Sequence, residues 1–288
     1  MLDAIIIKGV AGSYTVRTAE PQPRLFTCTA RGVFRNRNTT PLVGDNVLIL
    51  PANNNTATIQ TILPRKNQLR RPPAANISQV IITVATQHPP FNSGLLDRFL
   101  IIAEHDEIPV LICINKHDLA PNCEESFRMY RDAGYTLVFA SAKTGYGLDT
   151  LLQKMAGEVN LFAGPSGVGK SSLLNALSPT LALETGGLSC KIGRGKHTTR
   201  HTEIFPLGKS PTAGYCFDTP GFTSLDITHI PKTTLPHLFP EFSPHIPHCK
   251  FNNCSHIREN HCAVKEQINK TIHAFRYETY AKLMEGGS

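Results

Sequence analysis

The chain has 288 residues, 41% of them hydrophobic, which exceeds the roughly 100 to 200 residues of one ordinary domain and predicts two or three domains with buried cores. The longest apolar runs, at residues 4–7 and 110–114, are far shorter than the roughly 20 residues that span a bilayer, so the sequence excludes a membrane helix. The net charge of +7 and the isoelectric point of about 9.0 indicate a partner rich in phosphate, such as nucleic acid.

Residues 1–70 predict a small β-barrel. Short β-branched segments separated by turn residues occur at 4–7, 13–17, 25–30, 46–50 and 58–62, and this rhythm is typical of an OB-type barrel. Arg31, Arg35 and Arg37 could contact RNA phosphates there, or they could form an ordinary solvated face. The apolar run at the N-terminus stops at Lys8, which does not indicate a secretory signal, so we expect a cytoplasmic protein.

Residues 71–229 predict a central α/β domain. Apolar runs alternate with two helical patterns, at residues 95–105 and 171–177. This alternation indicates a parallel sheet covered by helices. The apolar runs lie at 80–85, 110–114, 136–140, 159–163 and 215–217.

A base-recognition motif follows the run at 110–114. Asn115, Lys116 and Asp118 form N-K-x-D, the pattern by which GTPases recognise guanine. The Asp118 carboxylate can accept hydrogen bonds from guanine N1–H and from the exocyclic amine, a donor pair that adenine lacks. Lys116 would lie along the ring and Asn115 would brace the loops. The supporting loop, whose backbone N–H would meet the guanine oxygen, is Ser141, Ala142 and Lys143.

A phosphate-binding loop follows the run at 159–163 and opens a helix. It fits G-x-x-x-x-G-K-[ST], in which the backbone N–H groups surround the phosphates. Lys170 would reach the β- and γ-phosphates and Ser171 would bind Mg²⁺. A glycine-rich turn without a ligand is the alternative. The predicted nucleotide-binding residues of this loop are Gly164, Pro165, Ser166, Gly167, Val168, Gly169, Lys170, Ser171 and Ser172.

Residues 218–221 match D-x-x-G, where Asp218 would hold Mg²⁺ through water and the Gly221 N–H would sense the γ-phosphate. In an ordinary GTPase the phosphate loop comes first, whereas here Asn115 precedes Gly164. The GTPase domain is therefore predicted to be circularly permuted, which can preserve a site because packing fixes strand positions more than chain order.

Residues 230–288 predict a third, mainly helical domain that binds zinc. A helical pattern runs from about Ile268 to Met284, and a C-x4-C-x-H-x5-C motif precedes it. Three thiolates and one imidazole suit a closed structural zinc site. Unbound thiols are an alternative, a disulfide is disfavoured in the cytosol, and His248 or His261 could replace the motif histidine. The predicted ligands are Cys249, Cys254, His256 and Cys262.

The permuted motifs lie between a small barrel, which includes the segment 31–45, and a zinc motif. This arrangement resembles the RsgA (YjeQ) family of bacterial GTPases that act in biogenesis of the small ribosomal subunit. The resemblance covers nearly the whole chain. It implies an enzyme that binds the immature 30S subunit and its 16S rRNA through the outer domains. It also implies GTP hydrolysis that the subunit stimulates, and we take a monomer as the default.

The basic loop from Lys191 to Arg200 resembles the switch I segment of that family. The resemblance assigns Thr199 to Mg²⁺, with Thr198 in reserve. It also suggests His197 as the residue that positions the attacking water, although an exposed histidine or an rRNA contact explains it nearly as well. A water-positioning residue is needed because Phe222 stands where many GTPases have glutamine after D-x-x-G.

Three other functions remain open on sequence alone. The nucleotide could be a fixed structural ligand of an RNA-binding assembly factor. The loop could belong to a P-loop kinase or ATPase, against which Asp118 argues. The chain could also be a permuted GTPase that acts on the large subunit, against which the barrel and the zinc motif argue.

Overall fold

The computed structural model describes residues 1–18, 22–32, 34, 39–52, 54–70, 73–178, 203–207, 214–217 and 227–286. Within these residues no helix has both the length and the apolar character needed to cross a membrane. The described chain forms a barrel, a mainly parallel sheet with helices on both faces, and a C-terminal domain of short helices.

The N-terminal strands close a five-stranded barrel in the order β1-β2-β3-β5-β4, as predicted. Closure results from antiparallel pairing of β1 with β4, and β3 runs parallel to β5. Alternate residues point inward, so Val16 of β2 and Cys28 of β3 are fully buried. The strands are β1 (Leu2–Val10), β2 (Ser13–Thr18), β3 (Leu25–Ala30), β4 (Asn46–Pro51) and β5 (Thr56–Ile62).

A short hairpin joins the barrel to the central sheet. Its strands are β6 (Gln68–Arg70) and β7 (Pro73–Ala75), which pair antiparallel. Val43 of the barrel forms a parallel bridge with Ala74, so the hairpin packs on the barrel side of the junction. The exact boundaries between the domains stay predictions.

The central sheet has six strands in the order β10-β9-β8-β11-β13-β12, and all neighbours except β12 and β13 are parallel. From β8 the sheet extends in one direction through β9 to β10, and from β11 it extends in the other direction through β13 to β12, so the strand order reverses between β8 and β11. Open α/β sheets bind ligands at such a reversal, outside the carboxyl ends of the strands. The strands are β8 (Gln79–Ala85), β9 (Val110–Asn115), β10 (Thr136–Phe139), β11 (Val159–Ala163), β12 (Ile204–Pro206) and β13 (Tyr215–Phe217).

Helices cover both faces of this sheet, which explains why its strands are apolar runs and do not alternate. On β8, Ile82 packs in one core with residues of α1, whereas Ile81 packs in another core with residues of α3 and α4. The α/β prediction is therefore confirmed. The described helices of this region are α1 (Ser93–His105), α2 (Arg128–Asp132), α3 (Leu148–Met155) and α4 (Lys170–Leu177).

The C-terminal domain has its own core, which includes Ile101 from α1 of the central domain. Phe239, Phe242 and Tyr280 pack in this core with ring centroids 5.0–5.4 Å apart. Within the described residues 227–286, the domain consists of four 3-10 helices and α5 (Ala274–Glu285). The 3-10 helices are Leu235–Leu238, Pro240–Phe242, Ile246–His248 and Lys265–Gln267.

The predicted start of the last helix, at about Ile268, was wrong. The helix begins at Ala274, and Ile268 instead forms a bridge with Ile272 inside a tight turn. Ile272 is buried in the domain core, so tertiary packing outweighs the helical spacing of the apolar residues.

Arg276 of α5 connects the C-terminal domain to α1 and is only 1% exposed. Its Nη1 donates to Asp97 Oδ1 at 2.5 Å and its Nε donates to Glu241 Oε1 at 2.7 Å. The guanidinium also lies over the Phe239 ring, 4.7 Å from the centroid. Burial alone would lower the pKa of Arg276, but attraction to Glu241 and Asp97 raises it above its ordinary value.

We expect Arg276→Met to destabilise the protein by about 3–5 kcal/mol, because two carboxylates would stay buried without their cation. The melting temperature should fall by at least about 6 °C, measured by circular dichroism. Arg258→Met, at an exposed arginine of the same domain, is the matched control and should change it little. Equal melting temperatures for the two variants would contradict the view that the buried ion pairs of Arg276 stabilise the protein.

Candidate functional site

The predicted nucleotide motifs converge at one edge of the sheet. The guanine motif begins at Asn115, the last residue of β9, and the supporting loop begins at Ser141, just beyond β10. The phosphate loop joins β11 to α4, on the β11 side of the reversal in strand order. The permuted chain therefore brings the described motifs to the carboxyl ends of neighbouring parallel strands.

Two glycines of the phosphate loop occupy positions that exclude a side chain. Gly164 has a φ of +132°, and a Cβ there would lie 2.1 Å from the Thr83 carbonyl oxygen of β8. Gly169 has a φ of +93°, and its Cβ would lie 2.4 Å from Asn115 Nδ2. These close approaches explain the glycines by packing, and they leave the backbone free to follow the turn that the motif requires.

Lys170 and Ser171 begin α4, so both lie at the positive end of a helix dipole. The Lys170 ammonium donates to the carbonyl oxygens of Gly164 and Pro165 at 2.7 and 2.6 Å, which folds its side chain over the loop. Ser171 and Ser172 are half-buried beside it. A cation, hydroxyl groups and a helix N-terminus in this arrangement can bind an anionic phosphate chain.

Asn115 ties the phosphate loop to the supporting loop. Its Nδ2 donates to the Val168 carbonyl oxygen at 2.8 Å, and its Oδ1 accepts from the Ala142 N–H at 3.3 Å. The side chain is buried, with 1% exposed. Asn115 thus links the two loops by hydrogen bonds, and its function toward a bound nucleotide stays a prediction.

Lys116 occupies a strained backbone position with a φ of +60°. Its ammonium donates to the carbonyl oxygens of Gly167, at 2.8 Å, and of His88. The Thr86 hydroxyl donates to the Lys116 carbonyl oxygen at 2.8 Å and supports this position from the end of β8. Thr86 and His88 were missed by sequence reasoning, although their place after a parallel strand was the signal that could have found them.

Asp118 is oriented by the supporting loop. Ser141 Oγ donates to Asp118 Oδ1 at 2.6 Å, and the Thr144 N–H donates to Ser141 Oγ at 3.2 Å. Ser141 is fully buried and Asp118 is half-buried. A carboxylate that is oriented in this way can accept two parallel hydrogen bonds from a planar ligand edge. Lys143 of the supporting loop is exposed.

The remaining predicted nucleotide residues lie outside the described part of the chain. They are His197, Thr198, Thr199, Asp218 and Gly221. Their functions stay predictions from the sequence.

The four predicted zinc ligands lie together, with one donor atom from each within 4.8 Å of the others. Cys249 Sγ is 3.5 Å from His256 Nδ1 and 3.9 Å from Cys262 Sγ, and His256 Nδ1 is 3.3 Å from Cys262 Sγ. Donors around tetrahedral zinc stand roughly 3.3–3.8 Å apart at ordinary bond lengths. The donor set and its spacing therefore fit a closed zinc site. Neither His248 nor His261 belongs to the group.

Groups outside the ligand set hold the metal-binding loop in place. The Glu259 carboxylate accepts from the N–H groups of Ser255 at 2.7 Å and Ile257 at 3.1 Å. Although burial alone would raise it, hydrogen bonds from Ser255 and neighbouring N–H groups lower the pKa of Glu259 to about 2. Tyr277 and Tyr280 of α5 donate to the carbonyl oxygens of His256 and Ser255 at 2.7 and 2.6 Å. Sequence reasoning missed these supports.

Comparison with known proteins gives the same motifs a family context. A model described as RsgA GTPase matches residues 62–228, and one described as RsgA N-terminal domain matches residues 4–59. A protein of Clostridium novyi named small ribosomal subunit biogenesis GTPase RsgA is 44% identical over 99% of this chain and 97% of its own. A protein of the same name from a Geobacillus strain is 43% identical over 99% of this chain and 97% of its own.

Two solved structures resemble the whole chain. YjeQ from Thermotoga maritima is 35% identical with a TM-score of 0.87, covering 99% of this chain and 98% of its own. YloQ, described as a circularly permuted GTPase, is 34% identical with a TM-score of 0.84, covering 99% of this chain and 94% of its own.

Proposed function

The chain belongs to the RsgA family of GTPases and is therefore a GTP hydrolase, and from this premise we propose that it acts in maturation of the small ribosomal subunit. The observation that carries the proposal is the near full-length similarity to relatives named for that process. The guanine site between a barrel and a Cys3His domain is consistent with it.

We propose that each of the described motifs binds a different part of the nucleotide. Asp118 reads the guanine edge, Lys116 lies against the ring and the Ala142 N–H meets the guanine oxygen. Lys170 binds the β- and γ-phosphates, where it offsets charge that develops during transfer. Ser171 is the proposed Mg²⁺ ligand in the described part of the chain, and bound Mg²⁺ would neutralise phosphate charge. Three further residues of the proposed site lie outside the described part of the chain: Thr199 and Asp218 for Mg²⁺, and Gly221 for the γ-phosphate.

The water-positioning group is proposed to be His197, because Phe222 cannot hydrogen-bond a water molecule. His197→Ala should reduce subunit-stimulated turnover by about tenfold or more, since groups that position or deprotonate water contribute about 10²–10⁴ in rate. A smaller loss in single-turnover hydrolysis would remove this assignment and leave an rRNA contact as its function.

RNA binding is the proposed role of the basic loop from Lys191 to Arg200. The net charge of +7 favours association with phosphate, and Lys191, Arg194, Lys196 and Arg200 would bring cations next to His197. Ordering of that loop on rRNA would then complete the catalytic site, which couples binding to hydrolysis. We further propose a cytoplasmic location, where small subunits mature, and a monomer as the working unit.

Cosedimentation with ribosomal subunits tests the proposed partner. The protein should sediment with 30S subunits when bound to a non-hydrolysable GTP analogue, and much less when bound to GDP. Binding to 50S subunits alone would support the large-subunit alternative. Nucleotide-independent binding to 30S subunits without turnover would support an assembly factor that holds GTP as a structural ligand.

A further inference from the structure

A second group of metal-ligating side chains lies next to the guanine motif. His117, Cys123 and Glu124 each place one donor atom within 4.8 Å of the other two. His117 is the variable residue of N-K-x-D, and Cys123 and Glu124 follow at the start of the next 3-10 helix, Glu124–Phe127. None of the side-chain hydrogen bonds described above for Asn115, Lys116 and Asp118 involves the side chains of this group.

Aromatic contacts orient the His117 ring with its Nε2 toward Glu124. His117 stacks on Tyr146 with centroids 4.6 Å apart and an angle of 10°, and its other neighbour, Phe139, packs edge-on at 5.7 Å. Nε2 then lies 3.0 Å from Glu124 Oε1. Because Tyr146 and Phe139 hold the ring in this orientation, entry of a metal ion would require only a small separation of Nε2 and Oε1.

The chemistry of the donors selects the class of metal. We propose that His117, Cys123 and Glu124 form a second metal site, which takes zinc or a similar divalent transition ion. One imidazole, one thiolate and one carboxylate are the donor types that zinc accepts, and hard cations such as Mg²⁺ disfavour the first two. A thiolate and a carboxylate together neutralise a divalent charge, which suits a partly buried position.

The exposure of the group fits an exchangeable site. The Glu124 side chain is 43% exposed, whereas that of His117 is 10% exposed. Three protein ligands leave the fourth position of a tetrahedron for water, unlike the closed Cys3His cluster.

Metal binding here would act on guanine recognition. His117 lies between Lys116 and Asp118, and its N–H donates to the Ala140 carbonyl oxygen at 3.0 Å. A metal bridge from His117 to Glu124 ties the base-reading loop to a helix whose Phe127 is buried in the core. Bound metal should therefore hold this loop in its binding conformation and tighten GDP binding by about fivefold or more.

Metal analysis of the full-length protein tests the site. After incubation with zinc and gel filtration, we expect two zinc ions per chain in the wild type and one in Cys123→Ala. Cys28→Ala, at a buried cysteine of the barrel, is the matched control and should keep two. Cobalt titration should show a second thiolate-to-metal band that Cys123→Ala alone lacks. Melting curves check that each variant folds.

The opposite results would overturn the proposal. One zinc ion per chain in the wild type would show that the group is a hydrogen-bonded cluster only. A second ion that persists in Cys123→Ala would place it elsewhere on the chain. Equal GDP affinity with one and two zinc ions bound would remove the link to guanine recognition.

Discussion

Asp118→Asn should weaken GTP binding by about 100-fold or more and create binding of xanthosine triphosphate. In the proposed binding mode the carboxylate accepts two hydrogen bonds from guanine, and an amide nitrogen in its place would point a donor at a donor. Xanthine carries a carbonyl oxygen where guanine carries the amine, so it restores the match. The Ser141 hydroxyl, 2.6 Å from Asp118 Oδ1, should hold the new side chain in the same plane.

The exchange of base specificity separates recognition from folding. Fluorescent GDP and XDP analogues would be titrated into the wild type, Asp118→Asn and the control Asp149→Asn. Asp149 is an exposed aspartate of the same domain, so its variant should bind GDP as the wild type does. Unchanged GDP affinity in Asp118→Asn would show that another group reads the base.

Loss of metal from the Cys3His cluster should unfold the C-terminal domain. Binding of zinc to such ligands contributes about 10–16 kcal/mol in small zinc domains at neutral pH, more than most domains have in total stability. Burial raises the pKa of Cys254 to about 12 and also raises that of Cys262. Without a cation these thiols therefore stay protonated, and the loop keeps only the hydrogen bonds from Tyr277 and Tyr280 and those to Glu259.

Hydrogen exchange measures this effect locally. Chelation of the metal, or Cys262→Ala, should remove protection from α5 and spare the barrel strands, and added zinc should restore protection only in the wild type. Cys216→Ala, at a buried cysteine of the sheet, is the matched control. Full protection of α5 in metal-free wild-type protein would contradict a structural role for the metal.

The sequence predicts much of the architecture because local patterns and short motifs agree. Asn115 follows an apolar run, Gly164 follows another, and parallel strands must present their ends at one edge. The permuted order, the barrel and the α/β sheet follow from this reasoning. The grouping of Cys249 with Cys262 follows from the donor chemistry of one short segment.

Features that depend on contacts between distant segments could not be predicted. Arg276 and Asp97 are 179 positions apart, and nothing in either neighbourhood marks a buried ion pair. Arginine on a helix is ordinarily exposed, so pattern reasoning would place it on the surface. The start of α5 depends on burial of Ile272, and the support of Lys116 by Thr86 depends on two strands meeting in the sheet.

Stimulated GTP hydrolysis tests the central claim most directly. Turnover of GTP would be measured for the protein alone, with 30S subunits and with 50S subunits, using Asp118→Asn and Lys170→Ala as inactive controls. The account predicts stimulation by 30S subunits only, with loss of that activity in both variants. Equal stimulation by 50S subunits, or none by either subunit, would contradict a GTPase that acts on the small subunit.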